Sequence, residues 1–215
     1  MKKLMIMAAF MVAAVTANAQ GEVGTLTIQP KVGMNLASVV NAKHNDFGVK
    51  SKTLVGLTAG IEAEYVVANK FSLALGALYS KQGCAFKVKD IPVEIGSLDY
   101  AHLSLDYLNI PIVANYYIIP GLAIKAGIQP SFMLGAKAKA KGTLEGISAT
   151  ADRDVKDQFK KFDLAIPLGA SYEYKNVVFD VRYNLSVLKL NKFEADKNLR
   201  NSVIQFTLGY KIPVK

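Results

Sequence analysis

Residues 107–117, YLNIPIVANYY, alternate without a break: Leu108, Ile110, Ile112, Ala114 and Tyr116 share one face of an extended strand, and Asn109, Pro111, Val113, Asn115 and Tyr117 share the other. The same period of two recurs along the chain and predicts further strands. In residues 25–36 Leu26, Ile28, Pro30, Val32, Met34 and Leu36 oppose Lys31, Gly33 and Asn35. Around 53–67 Val55, Leu57, Ala59, Ile61, Ala63 and Tyr65 oppose Glu62 and Glu64, and around 71–83 Phe71, Leu73, Leu75, Ala77 and Tyr79 alternate with small or polar residues.

Strands about 122–136 and 162–174 follow, with Ile124, Ile128 and Phe132 against Lys125, Gln129 and Ser131, and Ile166, Leu168 and Tyr172 against Asp163, Gly169 and Glu173. Next, Val177, Phe179, Val181 and Tyr183 oppose Asp180 and Arg182, and finally Ile204, Phe206, Leu208, Tyr210 and Ile212 oppose Gln205, Thr207 and Lys211. The polar face repeatedly carries full charges. That is wrong for a soluble core and right for a barrel with an apolar exterior and a polar interior. The count is eight, as closure of an up-and-down antiparallel barrel with both ends on one side requires. The predicted fold is therefore all-β: an eight-stranded antiparallel transmembrane barrel.

Punctuation supports the count. Ala68-Asn69-Lys70, Pro120-Gly121 and Lys175-Asn176 read as tight turns, whereas 37–52, 84–101, 137–160 and 189–200 read as long polar loops. Short turns at one end and long loops at the other match a barrel whose long loops face outward from the cell. The phase slips near Tyr107, since Leu103 and Leu105 are odd while Leu108 and Ile110 are even, and a bulge or a projecting strand end is expected there. Tyr65, Tyr79, Tyr116, Tyr172 and Tyr210 are placed near the ends of outward faces, where a ring can lie in lipid with its hydroxyl wet.

Composition adds a membrane setting. The 215 residues are 51% hydrophobic with a mean hydropathy of +0.22, yet no internal run of about 18 uncharged apolar residues predicts a helical span. Lys2 and Lys3, the apolar stretch Leu4–Val15 and Ala17-Asn18-Ala19 read as a cleaved signal peptide over 1–19, leaving 20–215 as one barrel domain. The formal charge of +9 becomes +7 without Lys2 and Lys3. Its basic residues are scattered and the chain is exported, so nucleic acid is not an expected partner; anionic lipopolysaccharide and outer-membrane lipid are. The single Cys84 cannot form an intramolecular disulfide and reads as a small apolar residue near a loop.

Candidate chemistry lies mainly inside. Lys31, Lys125, Arg182 and Lys211 can neutralise Glu62, Glu64, Asp163, Glu173 and Asp180, a charge network that would plug a bore already about filled by side chains. One catalytic pattern exists, His102-x-Ser104-x-Asp106, which would place a base, a hydroxyl and a carboxylate on one strand face. It supports a membrane-surface ester hydrolase only as a remote alternative, since a histidine near a strand end is ordinarily a solvated polar residue. No metal or cofactor motif occurs: His44 and His102 are far apart and there is no CxxC or HExxH. The expected role is structural, or binding of a protein or small molecule through the external loops, with a narrow porin-like channel as the alternative.

Several segments in order, Lys31-Val32-Gly33-Met34-Asn35-Leu36, Gly60-Ile61-Glu62-Ala63-Glu64-Tyr65, Leu78-Tyr79-Ser80-Lys81-Gln82-Gly83, Tyr107-Leu108-Asn109-Ile110-Pro111, Arg182-Tyr183-Asn184-Leu185 and Leu208-Gly209-Tyr210-Lys211, resemble the PorT-like outer-membrane β-barrel (porin family protein) family of Gram-negative bacteria. The resemblance covers nearly the whole mature chain. It implies an integral outer-membrane protein inserted by the barrel assembly machinery and, for the namesake, a part in secretion-machine assembly. Family strands commonly carry an acid where Asn109 stands, and the last strand usually ends in an aromatic where Ile212 stands.

Overall fold

The computed structural model describes residues 22–40, 50–87, 96–144, 147–190 and 200–214. The proposed signal peptide and the centres of the predicted loops lie outside these residues. Among the described residues eleven strands form one antiparallel sheet: β1 (Leu26–Val40), β2 (Lys50–Ala68), β3 (Phe71–Lys87), β4 (Gly96–Asn109), β5 (Ile112–Ile119), β6 (Leu122–Leu144), β7 (Ile147–Asp154), β8 (Phe162–Tyr174), β9 (Val177–Ser186), β10 (Arg200–Tyr210) and β11 (Ile212–Val214). Pairing of β1 with β10 closes the sheet on itself.

Two breaks are only local, so the wall has eight strands. Pro111 has no N–H to give the ladder, but its carbonyl accepts from Gly76 N–H at 2.9 Å and Ile110 N–H donates to Pro130 at 2.8 Å, which makes β4 and β5 one wall strand. Likewise Lys211 N–H donates to Asn176 at 2.7 Å between β10 and β11. The turns opposite are tight. Gly121 takes φ 82°, as the third residue of a turn led by Pro120 requires, and Lys175 and Asn176 take φ 46° and 67°, the left-handed pair of a two-residue hairpin.

The register fixes the girth. From Leu26 the paired residues run Tyr65, Leu73, Ala114, Ala126, Leu168, Tyr183 and Ile204, and return to the first strand at Leu36, ten residues above the start. An offset of ten residues over eight strands inclines the strands by about 40° to the axis. The bore is narrow. Along each strand the large apolar residues named above face out, with Val55, Leu57, Ile61, Leu75, Leu168, Leu208 and Tyr210 all more than half exposed on the outer face. The exposed apolar belt needs hydrocarbon around it.

Four expectations change. Strand β6 continues to Leu144 and turns back as β7, which pairs with it from Leu144↔Ile147 to Lys137↔Asp154, so much of the predicted loop 137–160 is hairpin. The wall is also taller at β3 and β4, which run to Lys87 and from Gly96, within the predicted loop 84–101. Cys84 is consequently a buried strand residue rather than a loop one. The bulge near Tyr107 falls in the partner strand: the register jumps between Asp106↔Gly135 and Tyr107↔Met133, an extra residue in β6, while Leu103, Leu105, Tyr107 and Asn109 keep one inward face of β4. Leu105 and Tyr107 therefore lie inside the barrel, fully buried.

Candidate functional site

The interior is built in layers, because inward residues recur every second position and the tilted register brings one from each wall strand to a common level. At the end of the short turns, Lys211 Nζ donates to Glu173 at 2.7 Å, to Tyr117 Oη at 3.0 Å and stands 2.9 Å from Glu64. Glu64 Oε1 also accepts from Tyr117 Oη at 2.6 Å and Ser72 Oγ at 2.5 Å. One cation is thus shared between two carboxylates.

Above them sits a denser knot. Arg182 Nη2 donates to Glu62 at 2.7 and 3.0 Å and to Asp180 Oδ2 at 2.8 Å, while its Nε donates to Asp180 at 2.9 Å. Lys31 Nζ lies 2.6 Å from Glu62 and 3.2 Å from Asp180, and Lys125 Nζ lies 2.6 Å from Asp180. All five side chains are buried. Inward glycines make room for them: a Cβ on Gly169 would come within 3.1 Å of Arg182 Cγ, and one on Gly209 within 2.3 Å of Gln29 Nε2. Charges this deep are tolerable only when paired, and here each carboxylate of the knot meets at least two cations.

Further out the lining becomes neutral: Asn35 donates to Ser80 at 2.9 Å, Gln82 to Ser80 at 3.0 Å and Asn184 to Gln205 at 3.0 Å. An apolar layer then closes the outer half, where Val39, Cys84, Leu105, Tyr107, Met133, Ala136 and Leu190 pack together with Leu103, Val155 and Phe159 against them. The segment bringing Val155 and Phe159 inward is tied down by Val155 N–H to Ala136 at 3.0 Å and Lys160 N–H to Leu190 at 2.9 Å. Alternation alone could not announce this lid, because apolar residues on an inward face look the same as a slipped outward face.

Of the nine candidate interior charges, Lys31, Glu62, Lys125, Asp180 and Arg182 come together in the knot, and Glu64, Glu173 and Lys211 in the lower cluster. Asp163 joins neither. It is buried at the outer level, where Ser186 Oγ donates to its Oδ1 and Leu164 N–H donates at 2.8 Å, and no lysine or arginine among the described residues pairs with it.

His102, Ser104 and Asp106 share the outer face of β4, as their spacing predicts, but the hydroxyl and the carboxylate are not joined in a relay. Asp106 accepts from Tyr79 Oη at 2.7 Å, and Ser104 Oγ, buried within the wall, has no hydrogen-bond partner among the described residues. A hydroxyl with no base hydrogen-bonded to it is not an activated nucleophile. Among the described residues no three His, Cys, Asp or Glu side chains come together as a metal site.

Comparison with known proteins follows the same line. Solved structures similar to this chain include Ail, the attachment invasion locus protein of Yersinia pestis, at 13% identity with a TM-score of 0.44, covering 89% of this chain and 100% of that one. OprG from Pseudomonas aeruginosa is similar at 14% identity and TM-score 0.44, covering 91% of this chain and 99% of that one. Neisserial surface protein A is similar at 17% identity and TM-score 0.43, covering 87% and 97% respectively. No curated protein sequence matches the chain. Residues 18–191 match the sequence profile described as the outer membrane protein beta-barrel domain. An apolar outer belt, a closed ring of eight wall strands and a profile match over most of its length together place this chain in the outer membrane protein β-barrel domain family, as an integral protein of the outer membrane.

Proposed function

We infer that this barrel is a closed scaffold whose work is done at its outer end rather than through its bore. The observation that carries this is the Arg182, Glu62, Asp180, Lys31 and Lys125 knot, which joins residues of β1, β2, β6 and β9 across the interior. The lower Lys211 cluster and the outer apolar lid add a second and third obstruction. A solute would have to break paired, desolvated charges to pass, which is costly.

The outer end, by contrast, is built for display. The wall extends as β3, β4, β6 and β7, and exposed Arg153, Asp154, Lys160 and Lys161 stand on or beside it. Binding of a protein, a small molecule or anionic lipopolysaccharide there is the role proposed, with the predicted loops 37–52, 84–101, 137–160 and 189–200 supplying the contacts. The PorT-like resemblance supports placing the chain within that branch of the family, and export through a cleaved peptide over 1–19 with assembly-machine insertion is part of the same proposal.

Planar-bilayer recording on the purified, refolded protein tests the closed bore. The expected trace is quiet, with no steady single-channel steps. Large steady conductance in the unaltered protein would overturn the scaffold and establish the narrow channel. For the outer end, a photo-crosslinker at Arg153 in intact cells should capture envelope protein or lipopolysaccharide, whereas one at inward Val178 should capture nothing external.

A further inference from the structure

Asp163 is the interior carboxylate that the charge ladder leaves out. Glu62, Glu64, Glu173 and Asp180 each lie within 4.0 Å of a lysine or arginine nitrogen, but Asp163, only 5% exposed, has no such partner among the described residues, Lys161, Lys189 and Arg200 at the rim included. A hydroxyl and one backbone N–H are its donors. An ionised carboxylate so deep and without a countercharge is expensive.

The surroundings offer oxygens and no cation. Asn109, Ser131 and Asp163 stand side by side on β4, β6 and β8 through the pairs Asn109↔Ser131 and Ser131↔Asp163, all facing inward. Ser186 reaches Asp163 from β9, and Asn201 of β10 lies one step past the pair Ser202↔Leu185. Both Asn109 and Asn201 are buried to within 2% exposure; the Asn201 amide lies against the Tyr107 hydroxyl, and that of Asn109 has no hydrogen-bond partner among the described residues. An unsatisfied amide is rare in a folded interior, and one in register with an unpaired carboxylate marks a place where something polar and positive belongs.

We propose that Asp163, with Asn109, Ser131, Ser186 and Asn201, holds one monovalent alkali cation at the level between the charge knot and the apolar lid. The donor set decides the class. Hard oxygen ligands suit alkali and alkaline-earth ions rather than soft or imidazole-loving metals, and a single carboxylate balances one positive charge where a divalent ion would leave one in excess. The lid residues Tyr107 and Met133, two positions outward from Asn109 and Ser131, pack between this level and the outer end and limit the screening of the ion by bulk water. This site lies beyond the knot, so it stands or falls independently of whether the bore conducts.

Thermal unfolding of the whole barrel in neutral-lipid vesicles, in sodium, potassium or choline chloride at equal ionic strength, tests it. The expected result is a midpoint several degrees higher in sodium or potassium than in choline, saturating with concentration, and the same midpoint in all three salts for Asp163→Asn. Asn109→Ala should keep the effect but require about tenfold more of the ion, equivalent to about 1.4 kcal/mol, which also covers a failure of Asp163→Asn to fold. Equal midpoints for the unaltered protein in the three salts would overturn the proposal. So would a salt difference that Asp163→Asn shares, since that is a surface effect.

Discussion

Arg182 Nη2 grips both carboxylate oxygens of Glu62, at 2.7 and 3.0 Å, although these residues stand on β9 and β2 with β10 and β1 between them along the wall. A contact of this kind is a strut across the bore as well as an ion pair. It ties sheet closure to charge pairing, because the two strands meet through it only when β1 has paired with β10.

Arg182→Ala should therefore leave Glu62 and Asp180 with fewer cations in a dry interior. Breaking a fully buried pair costs about 3–5 kcal/mol, less where water enters. Urea unfolding in lipid vesicles should show a loss of that size, and an unchanged midpoint would mean that Lys31 and Lys125 suffice.

The lid makes a separate prediction about leakage. Leu105→Ala should cost about 2–5 kcal/mol as a large-to-small change at a fully buried site, without opening the bore while the knot is intact. Arg182→Ala combined with Leu105→Ala should conduct in planar bilayers where neither single variant does. Conductance in Leu105→Ala alone would show that the knot is not the main barrier.

On the outer face, Ile128→Arg should cost about 2–4 kcal/mol near the membrane midplane and Leu73→Arg less, since Leu73 stands two residues from the start of β3 at the short turn. Unfolding titrations of both variants in bilayers will order them. Equal, negligible costs would contradict lipid contact.

Gly209 faces Gln29 so closely that a methyl group would meet Gln29 Cγ at 2.8 Å as well as the amide. Gly209→Ala should lose about 1–3 kcal/mol through overpacking, and Gln29→Ala in the same chain should recover part of it. Additive losses in the double variant would show that the strain is in the backbone instead.

How much of this was written in the sequence depends on how local the governing physics is. Alternation is a property of neighbours, so Ile61 outside Glu62, Phe179 outside Asp180 and Val181 beside Arg182 could be assigned faces directly, and the tight turns at Gly121 and Asn176 followed from their own backbone preferences. Which charges meet is a property of register. The ten-residue offset, invisible in any one strand, brings Arg182 to Glu62 while leaving Asp163 beside Ser186. The bulge opposite Asp106 and Tyr107 is decided by cross-strand pairing too, and Leu103, Leu105 and Tyr107 become lid rather than outer face only because the closed sheet packs them with Val39 and Cys84. Face and strand count were thus determined by the chain itself through a period of two. The contents of each interior level were decided only when the tilted sheet closed, because closure sets which distant residues share a height.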